Sequence, residues 1–222
     1  MAGVVIIGAG PGIGRSVAMR FAREGLAVGL VARGSLKEVA AAVESLGVPV
    51  VTATADAGDE ESLRGALSAV AERLGPPEVV VYNAAVIRPD APGELSVREH
   101  LDRWAVNVLG AHTAAAHVLP GMAGRGRGTF VVTGGMPEPV PQYLSLSLGK
   151  AGIRALVGAL DRAYRSAGVH VASVTVAGAV APGTDFDPDD IAEHYWRLHV
   201  APGEEWVTEV VHSGRVSAAP VR

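Results

Sequence analysis

Short apolar runs rich in β-branched residues alternate with longer helical patterns along almost the whole chain. The runs are apolar throughout, which is typical of strands covered by helices on both faces of a sheet. Between them, apolar residues recur every three to four positions, as in Leu63, Leu67 and Val70, which predicts helices. The alternation predicts an α/β fold with a doubly wound parallel sheet and right-handed crossovers. The predicted strands are Val4–Ile7, Ala27–Ala32, Val48–Thr52, Val79–Tyr82, Thr129–Thr133 and His170–Val176, with a plausible seventh within Glu205–Val211.

No repeat or linker interrupts this pattern, so residues 1–222 are predicted to form one domain. A helix containing Val97, Leu101 and Val108 is predicted to end at Pro120, and the polar C-terminal tail is predicted to be loosely held. The net charge of −4, without a basic cluster, argues against nucleic acid and anionic membranes as partners. The absence of cysteine excludes disulfides and thiolate metal sites. No signal sequence or membrane span is evident, so a cytoplasmic protein is predicted.

The segment "VVIIGAGPGIGRSVAMRFA" combines a strand, a glycine turn and the start of a helix. Glycines at this place allow a tight turn and a close approach of the backbone to a diphosphate, which the helix N-terminus attracts with its unpaired N–H groups. The pattern therefore predicts a dinucleotide site, although a glycine turn that only packs strand against helix is the alternative. The predicted diphosphate-binding residues are Gly8, Gly10, Pro11, Gly12, Ile13 and Gly14.

Arg33 follows the second predicted strand without an acidic neighbour in the sequence. Arginine at this position suits the 2′-phosphate of NADP, whereas an acidic residue would bind the free ribose hydroxyl of NAD. NADP(H) is therefore the predicted cofactor, and the alternative is an arginine with no role beyond the solvated surface. Asp56 follows the third strand; an N-cap of the next helix is its alternative role, which Asp59 fits better.

Taken together, these motifs resemble the short-chain dehydrogenase/reductase family from Val4 to about Gly183. The family has a single-domain Rossmann fold of about seven strands, and the resemblance implies the same here. It implies that Asp56 and Ala57 contact adenine, that Asn83 and Ala84 in "YNAAV" belong to the motif after the fourth strand, and that Gly178 and Val180 in "AGAVAP" belong to the nicotinamide loop. Ile7, Ala85, Ala177 and Pro182 depart from the family pattern.

The resemblance also implies a catalytic group, and this chain keeps only part of it. Lys150 matches the lysine that binds the nicotinamide ribose, and Asn107 in "WAVNVLG" matches the asparagine that holds a water of the proton relay. The tyrosine that exchanges the proton would stand at Leu146, which can neither give nor take one. The serine position falls between Thr133 and Gly135, where only Thr133 has a hydroxyl.

Other groups near Lys150 in the sequence are candidates for the source of the proton. Tyr143 lies seven residues before Lys150, on a loop that Pro139 and Pro141 keep from being helical, and its alternative role is to cover apolar surface. Ser147 and a water held by Asn107 and Lys150 are further candidates. The histidines of the same helix pattern, His112 and His117, are more typical of surfaces and interfaces, and no metal site is evident.

Two functions therefore remain open, besides that of a structural oligomer partner. One is an NADP(H)-dependent oxidoreductase acting on a small carbonyl or alcohol with a modified proton donor. The other is an NADP(H)-binding protein with lost or non-redox activity. The resemblance further implies a homodimer or homotetramer assembled through the helices of Asn107 and Lys150, and a substrate lid within residues 184–205 to which Tyr195 and Trp196 contribute.

Overall fold

The computed structural model describes residues 3–214, and all seven of its strands lie in one parallel sheet of order β3-β2-β1-β4-β5-β6-β7. The order in which successive strands are added to the sheet reverses between β1 and β4. In sheets of this type, ligands bind at such a topological switch point. The strands are β1 Gly3–Ile7, β2 Ala27–Ala32, β3 Val50–Thr54, β4 Val79–Tyr82, β5 Gly128–Gly135, β6 Val169–Val176 and β7 Glu209–His212.

Helices cover the two faces of the sheet in the manner predicted. One core is formed where α1, α2 and α7 pack on the sheet through residues such as Phe21, Val43 and Ile191, and the other where α3, α5 and α6 pack through residues such as Leu63 and Ile153. The doubly wound Rossmann-type fold is thus confirmed. The helices are α1 Ile13–Arg23, α2 Lys37–Glu44, α3 Glu60–Leu74, α4 Val97–Trp104, α5 Gly110–Gly124, α6 Leu144–Tyr164 and α7 Pro188–Val200, with a π-helical turn, Ala105–Leu109, between α4 and α5. Within the described residues no helix is both long and apolar enough to span a bilayer.

Two predicted boundaries are wrong for reasons that involve proline. The third strand begins at Val50 rather than Val48 because Pro49 has no N–H to donate, although its carbonyl still accepts a bond from the Val28 N–H. Pro120 lies inside α5 instead of ending it. Because Pro120 has no N–H, the carbonyl of Ala116 loses its helical partner. Both residues are on the exposed side of the helix, where water can bind that carbonyl. The buried Leu119 keeps the helix packed on the sheet.

The helix in the predicted lid region is part of the core. Ile191 and Tyr195 of α7 are fully buried, and α7 packs along α1, with Trp196 against Phe21 at an edge-to-face angle. Trp196 also lies under the guanidinium of Arg20. This helix therefore supports the sheet, and Tyr195 and Trp196 pack inside the domain. Most of the predicted loose tail lies outside the described residues.

Candidate active site

The glycine turn between β1 and α1 is fixed by close backbone contacts. Gly8 has a φ of 85°, and a Cβ at this position would lie 2.5 Å from the backbone nitrogen of Ala84. A Cβ on Gly14 would collide with the carbonyl oxygen of Gly8. Both residues must therefore be glycine for β1, α1 and the loop after β4 to approach one another as they do.

The other glycines of the turn have a different surrounding. A Cβ added to Gly10 or Gly12 would meet no atom of the described residues within 4 Å, so packing within the chain does not require glycine there. The N-terminus of α1 also has no side-chain cap among the described residues, which leaves its N–H groups available to an anion. An open, uncapped cradle of this kind fits the diphosphate of a dinucleotide.

A cleft of about 320 Å³ opens beside this turn, between the carboxyl ends of β1, β2 and β4. Its walls include backbone and small side chains together with the charged residues Arg33 and Asp56 and the amide of Asn83. Seven predicted cofactor residues line it: Gly8, Gly10, Arg33, Asp56, Ala57, Asn83 and Ala84. Lys150, Gly178 and Val180 are not among its lining residues.

Arg33 and Asp56 stand at the rim of this cleft. The Arg33 Nη1 atom lies 3.6 Å from Asp56 Oδ2, and the side chains are 65% and 47% exposed. This acidic partner could not be predicted from the sequence, because the two residues follow different strands. Asp56 does not cap α3; its Oδ1 accepts a bond from the Gly58 N–H, and Asp59 is the N-cap. The guanidinium therefore stays accessible to an anionic group at the mouth of the cleft.

A chain of hydrogen bonds connects the glycine turn to α7. Asn83 Nδ2 donates to the Gly8 carbonyl at 2.8 Å, and Thr133 Oγ1 donates to Asn83 Oδ1 at 2.8 Å. Because the Thr133 proton is used in that bond, the Tyr195 hydroxyl must donate to Thr133 Oγ1, which lies 2.7 Å away. Burial raises the pKa of Tyr195 well above its usual value, so its hydroxyl keeps its proton.

The position of Tyr195 was missed by sequence reasoning, but β5 itself contains a signal. Thr129, Val131 and Thr133 alternate on the face of β5 that meets α7, and Thr129 Oγ1 likewise contacts His199 Nδ1 at 3.0 Å. A threonine in register with Thr129 and Val131 must point to that same face. The hydroxyl predicted to orient a substrate is therefore occupied inside the domain.

Lys150 lies on the other side of β5 and is 7% exposed. Its Nζ donates to the Thr133 carbonyl at 2.6 Å, and burial lowers the pKa of its ammonium group to about 8. The residue of β5 that adjoins its side chain is Gly135, where an added Cβ would lie 3.7 Å from Lys150 Cε. The position of β5 next to the lysine stem therefore carries no side chain.

Leu146 is 3% exposed, one helical turn before Lys150. The neighbouring serines are bonded to the surrounding loops: Ser147 Oγ accepts from the Val140 N–H at 3.0 Å, and Ser145 Oγ donates to Asp90 Oδ1 at 2.8 Å. The first turns of α6 thus present no uncommitted serine hydroxyl.

Asn107 is held in the π-helical turn, against both α6 and the loop after β4. Its Oδ1 accepts a hydrogen bond from the Val86 N–H at 2.7 Å, and a Cβ added to Gly149 would lie 2.9 Å from the Cβ of Asn107. The same turn exposes the Val106 carbonyl to the hydroxyl of Tyr82, whose pKa is raised by burial and by the charge of Asp56. The Asn107 side chain therefore shapes the loop of the predicted Asn83 and Ala84 motif.

Tyr143 is the N-cap residue of α6, which confirms that no helix precedes it. It pairs with Asp90 in an isolated β-bridge. The buried Asp90 carboxylate accepts from the Ser145 N–H at 2.9 Å and from Arg103 Nη1 at 3.0 Å. The negative charge thus stabilises the N-terminus of α6 and ties it to α4. Sequence reasoning missed this cluster because Asp90 and Ser145 are far apart in the chain.

The remaining predicted residues lie away from the cleft. Gly178 packs against the ring of Phe186, where a Cβ would collide, and Val180 is exposed on the loop after β6. His112 is exposed, and His117 contacts Ser68 on α3, with a pKa lowered by burial. Among residues 3–214 no three metal-binding side chains form a cluster.

Comparison with known proteins assigns the family. A sequence profile described as short chain dehydrogenase matches residues 2–189. A cis-4-hydroxycyclohexanecarboxylate dehydrogenase from Sinomonas cyclohexanicum is 32% identical over 81% of this chain and 71% of its own length. The glycine betaine reductase ATRR of Emericella nidulans is 35% identical over 57% of this chain, which spans only 10% of that much longer protein.

Solved structures agree with the sequence comparison. An alcohol dehydrogenase from the archaeon Thermococcus sibiricus, in complex with 5-hydroxy-NADP, is 28% identical, with a TM-score of 0.85 over 95% of this chain and 96% of that one. The profile match covers most of the chain, as does the structural similarity. The protein therefore belongs to the short chain dehydrogenase family of oxidoreductases.

Proposed function

We propose that this protein binds NADP(H) in the cleft at the glycine turn and interconverts a small carbonyl compound and its alcohol. The observation that carries the proposal is the open cradle at Gly12, where the uncapped N-terminus of α1 meets the cleft that Arg33 borders. When bound, the cofactor would supply or accept the hydride. Every other function in the site falls to the side chains and backbone of this chain.

The cofactor-binding residues divide by the part of the molecule they hold. The turn binds the diphosphate through backbone N–H groups, while Asp56 and Ala57 border the adenine and Asn83 and Ala84 hold the floor of the cleft. Lys150, Gly178 and Val180 serve the nicotinamide end. The residues of the turn are Gly8, Gly10, Pro11, Gly12, Ile13 and Gly14.

Arg33 supports a preference for NADP(H) over NAD(H). Its exposed guanidinium lies 3.6 Å from the half-exposed Asp56 carboxylate, which is too long for a strong hydrogen bond. A phosphate at the ribose 2′ position would offer shorter, charge-assisted bonds. Asp56 would then be free to retain its bond to Gly58.

The catalytic group is modified relative to the family. Lys150 and Asn107 remain, Thr133 acts by positioning Asn83, and Tyr143 at the start of α6 is the tyrosine nearest in sequence to the position held by Leu146. A proton is needed at the substrate oxygen during reduction. The proposal therefore requires a donor other than a tyrosine at residue 146.

The absence of side-chain hydroxyls at Gly135 and Leu146 favours a second candidate, a cofactor-binding protein without redox activity. Calorimetry with NADPH combined with NADPH oxidation in the presence of cyclohexanone, 2,3-butanedione and ethyl acetoacetate separates the two. Binding with carbonyl-dependent oxidation supports the oxidoreductase. Binding without oxidation of any compound in a broad panel favours the second candidate, and no binding removes both.

We also propose that the protein acts as a cytoplasmic homodimer or homotetramer. Leu101, Leu109 and Leu148 are exposed on α4, the π-helical turn and α6, which pack against one another through Gly152 and Trp104. A second copy could cover these side chains. Light scattering of the Leu148→Glu variant should show a smaller particle than the wild-type chain, and an unchanged mass would contradict this interface.

A further inference from the structure

The proton donor of the proposed reaction can be sought by asking which groups near Lys150 have a proton to give. Thr133 and Ser147 direct their hydroxyls to Asn83 and Val140, and Ser145 is bonded to Asp90. Gly135 and Leu146 have no hydroxyl. Of these side chains, Lys150 and Tyr143 remain, besides the water that Asn107 and Lys150 would hold.

Tyr143 is held away from the lysine. Seven residues separate it from Lys150, which corresponds to about 10 Å along the axis of α6. Tyr143 is the N-cap residue and lies just outside the helix itself. The backbone of Tyr143 is also fixed, since its N–H donates to Val140 and its carbonyl accepts from the Ser147 N–H.

Lys150 has protons available. Of its three N–H groups, the hydrogen bonds within residues 3–214 engage one, through the Thr133 carbonyl, and no carboxylate of these residues forms an ion pair with it. The charged groups on the neighbouring elements are engaged elsewhere. Arg154, one turn further along α6, donates to the Gly135 and Met136 carbonyls, and at the start of α6 Arg103 pairs with Asp90.

The chemistry of the ammonium group fits this task. Burial without a counter-ion lowers the pKa of Lys150 to about 8, which is near the operating range of a general acid. Gly135 adjoins the lysine stem, and a Cβ there would stand 3.7 Å from Cε, so this position places no hydroxyl between the lysine and a substrate.

We propose that Lys150 itself donates the proton to the substrate oxygen, a role that rests on the oxidoreductase function proposed above. In reduction, the carbonyl carbon receives a hydride from the reduced nicotinamide and the oxygen receives a proton from Nζ. The products are the alcohol, the oxidised cofactor and a neutral amine that regains its proton from solvent. Alcohol oxidation runs the same transfers in reverse, with the neutral amine as base.

The first test needs no turnover, because the chain contains only two lysines, Lys37 and Lys150. Lysine labelled with ¹³C at Cε gives two resonances in the full chain, and Lys37→Arg assigns them. The Lys150 resonance should titrate near pH 8. A Lys150 resonance that titrates above pH 10 overturns the proposal.

The second test uses the active enzyme and the carbonyl compound that the panel identifies. The kcat for reduction should be constant below pH 8 and fall about tenfold per pH unit above it, because the ammonium form is lost there. This descending limb of the pH profile should keep its position in the Tyr143→Phe variant. Lys37→Arg should leave both kcat and the limb unchanged. A limb that disappears in Tyr143→Phe assigns the proton to that residue instead.

Chemical rescue completes the test. Lys150→Ala should lose at least 100-fold in kcat and regain activity with methylamine, and other alkylamines should follow a Brønsted dependence on their pKa. A lysine that only binds ribose gives no such dependence, so retained NADPH binding without rescue overturns the proposal. Failure of the function itself looks different: the wild-type chain then oxidises no NADPH, whatever the state of Lys150.

Discussion

The two ends of the site differ in what holds their residues in place. At the glycine turn, Gly8 and Gly14 are required by the packing of β1, α1 and the loop after β4. At Lys150, the positions beside the lysine are Gly135 and the buried Leu146, neither of which can exchange a proton. Burial of a leucine stabilises a fold by about 1.5–3 kcal/mol. A hydroxyl used only in chemistry can thus be exchanged without harm to folding, whereas the binding turn cannot.

The largest effect is expected from the open side of the turn. In Gly12→Ala the new methyl group meets no neighbour in the described chain, but it occupies space that a diphosphate needs, so NADPH affinity should fall about 100-fold. Calorimetry measures this change, and a thermal melt checks that the variant is folded.

The matched control for this change is Gly65→Ala. Gly65 lies in α3, also with nothing near its Cβ among the described residues, and alanine there should stabilise the helix slightly without altering affinity. An affinity of Gly12→Ala equal to that of the control would show that the cradle is not a diphosphate site.

Arg33→Ala tests whether this end of the site selects the phosphorylated cofactor. Loss of a charge-assisted bond costs about 1.5–3 kcal/mol, so NADPH affinity should fall about 10- to 100-fold while NADH affinity changes little. Titrations with both cofactors measure the ratio. An equal loss for the two cofactors would assign Arg33 a role unrelated to the 2′-phosphate.

Leu146→Tyr restores the hydroxyl at the other end. Its kcat for the carbonyl substrate should rise about tenfold, because a phenol one turn before Lys150 is a better placed acid than the lysine alone. Leu146→Phe adds the same bulk without the hydroxyl and should show no gain, although both variants carry an overpacking cost of about 1–3 kcal/mol. Equal kcat values in the two variants would show that the hydroxyl does not limit turnover.

Tyr195→Phe tests whether the hydrogen-bond chain from α7 reaches the turn. Removal of the donor to Thr133 should raise the NADPH dissociation constant about fivefold, as expected for one hydrogen bond of about 1 kcal/mol. Thr129→Val removes the comparable bond between β5 and His199, which does not lead to the cleft. Thr129→Val should lower the free energy of unfolding by a similar amount and leave the NADPH affinity unchanged. Equal losses of NADPH affinity in the two variants would show that the hydrogen bonds from α7 have only a structural role.

The sequence predicted the parts of the molecule that depend on local patterns. β2 and β4 have their predicted bounds because both are apolar throughout, and the turn was found because glycine, strand and helix are contiguous. Tyr195 and Thr133 are 62 residues apart, and Asp90 and Ser145 are 55 apart. Such contacts follow from the sheet order and the helix packing. Neither the hydrogen-bond chain to α7 nor the contact of Asp90 with the start of α6 could therefore be predicted from the spacing of residues in the sequence.

Calorimetric titration of the folded full-length chain with NADPH, and separately with NADH, tests the central claim most directly. The account predicts saturable heat with one cofactor per chain and a lower dissociation constant for NADPH than for NADH. No heat of binding with either cofactor at millimolar concentration would contradict it.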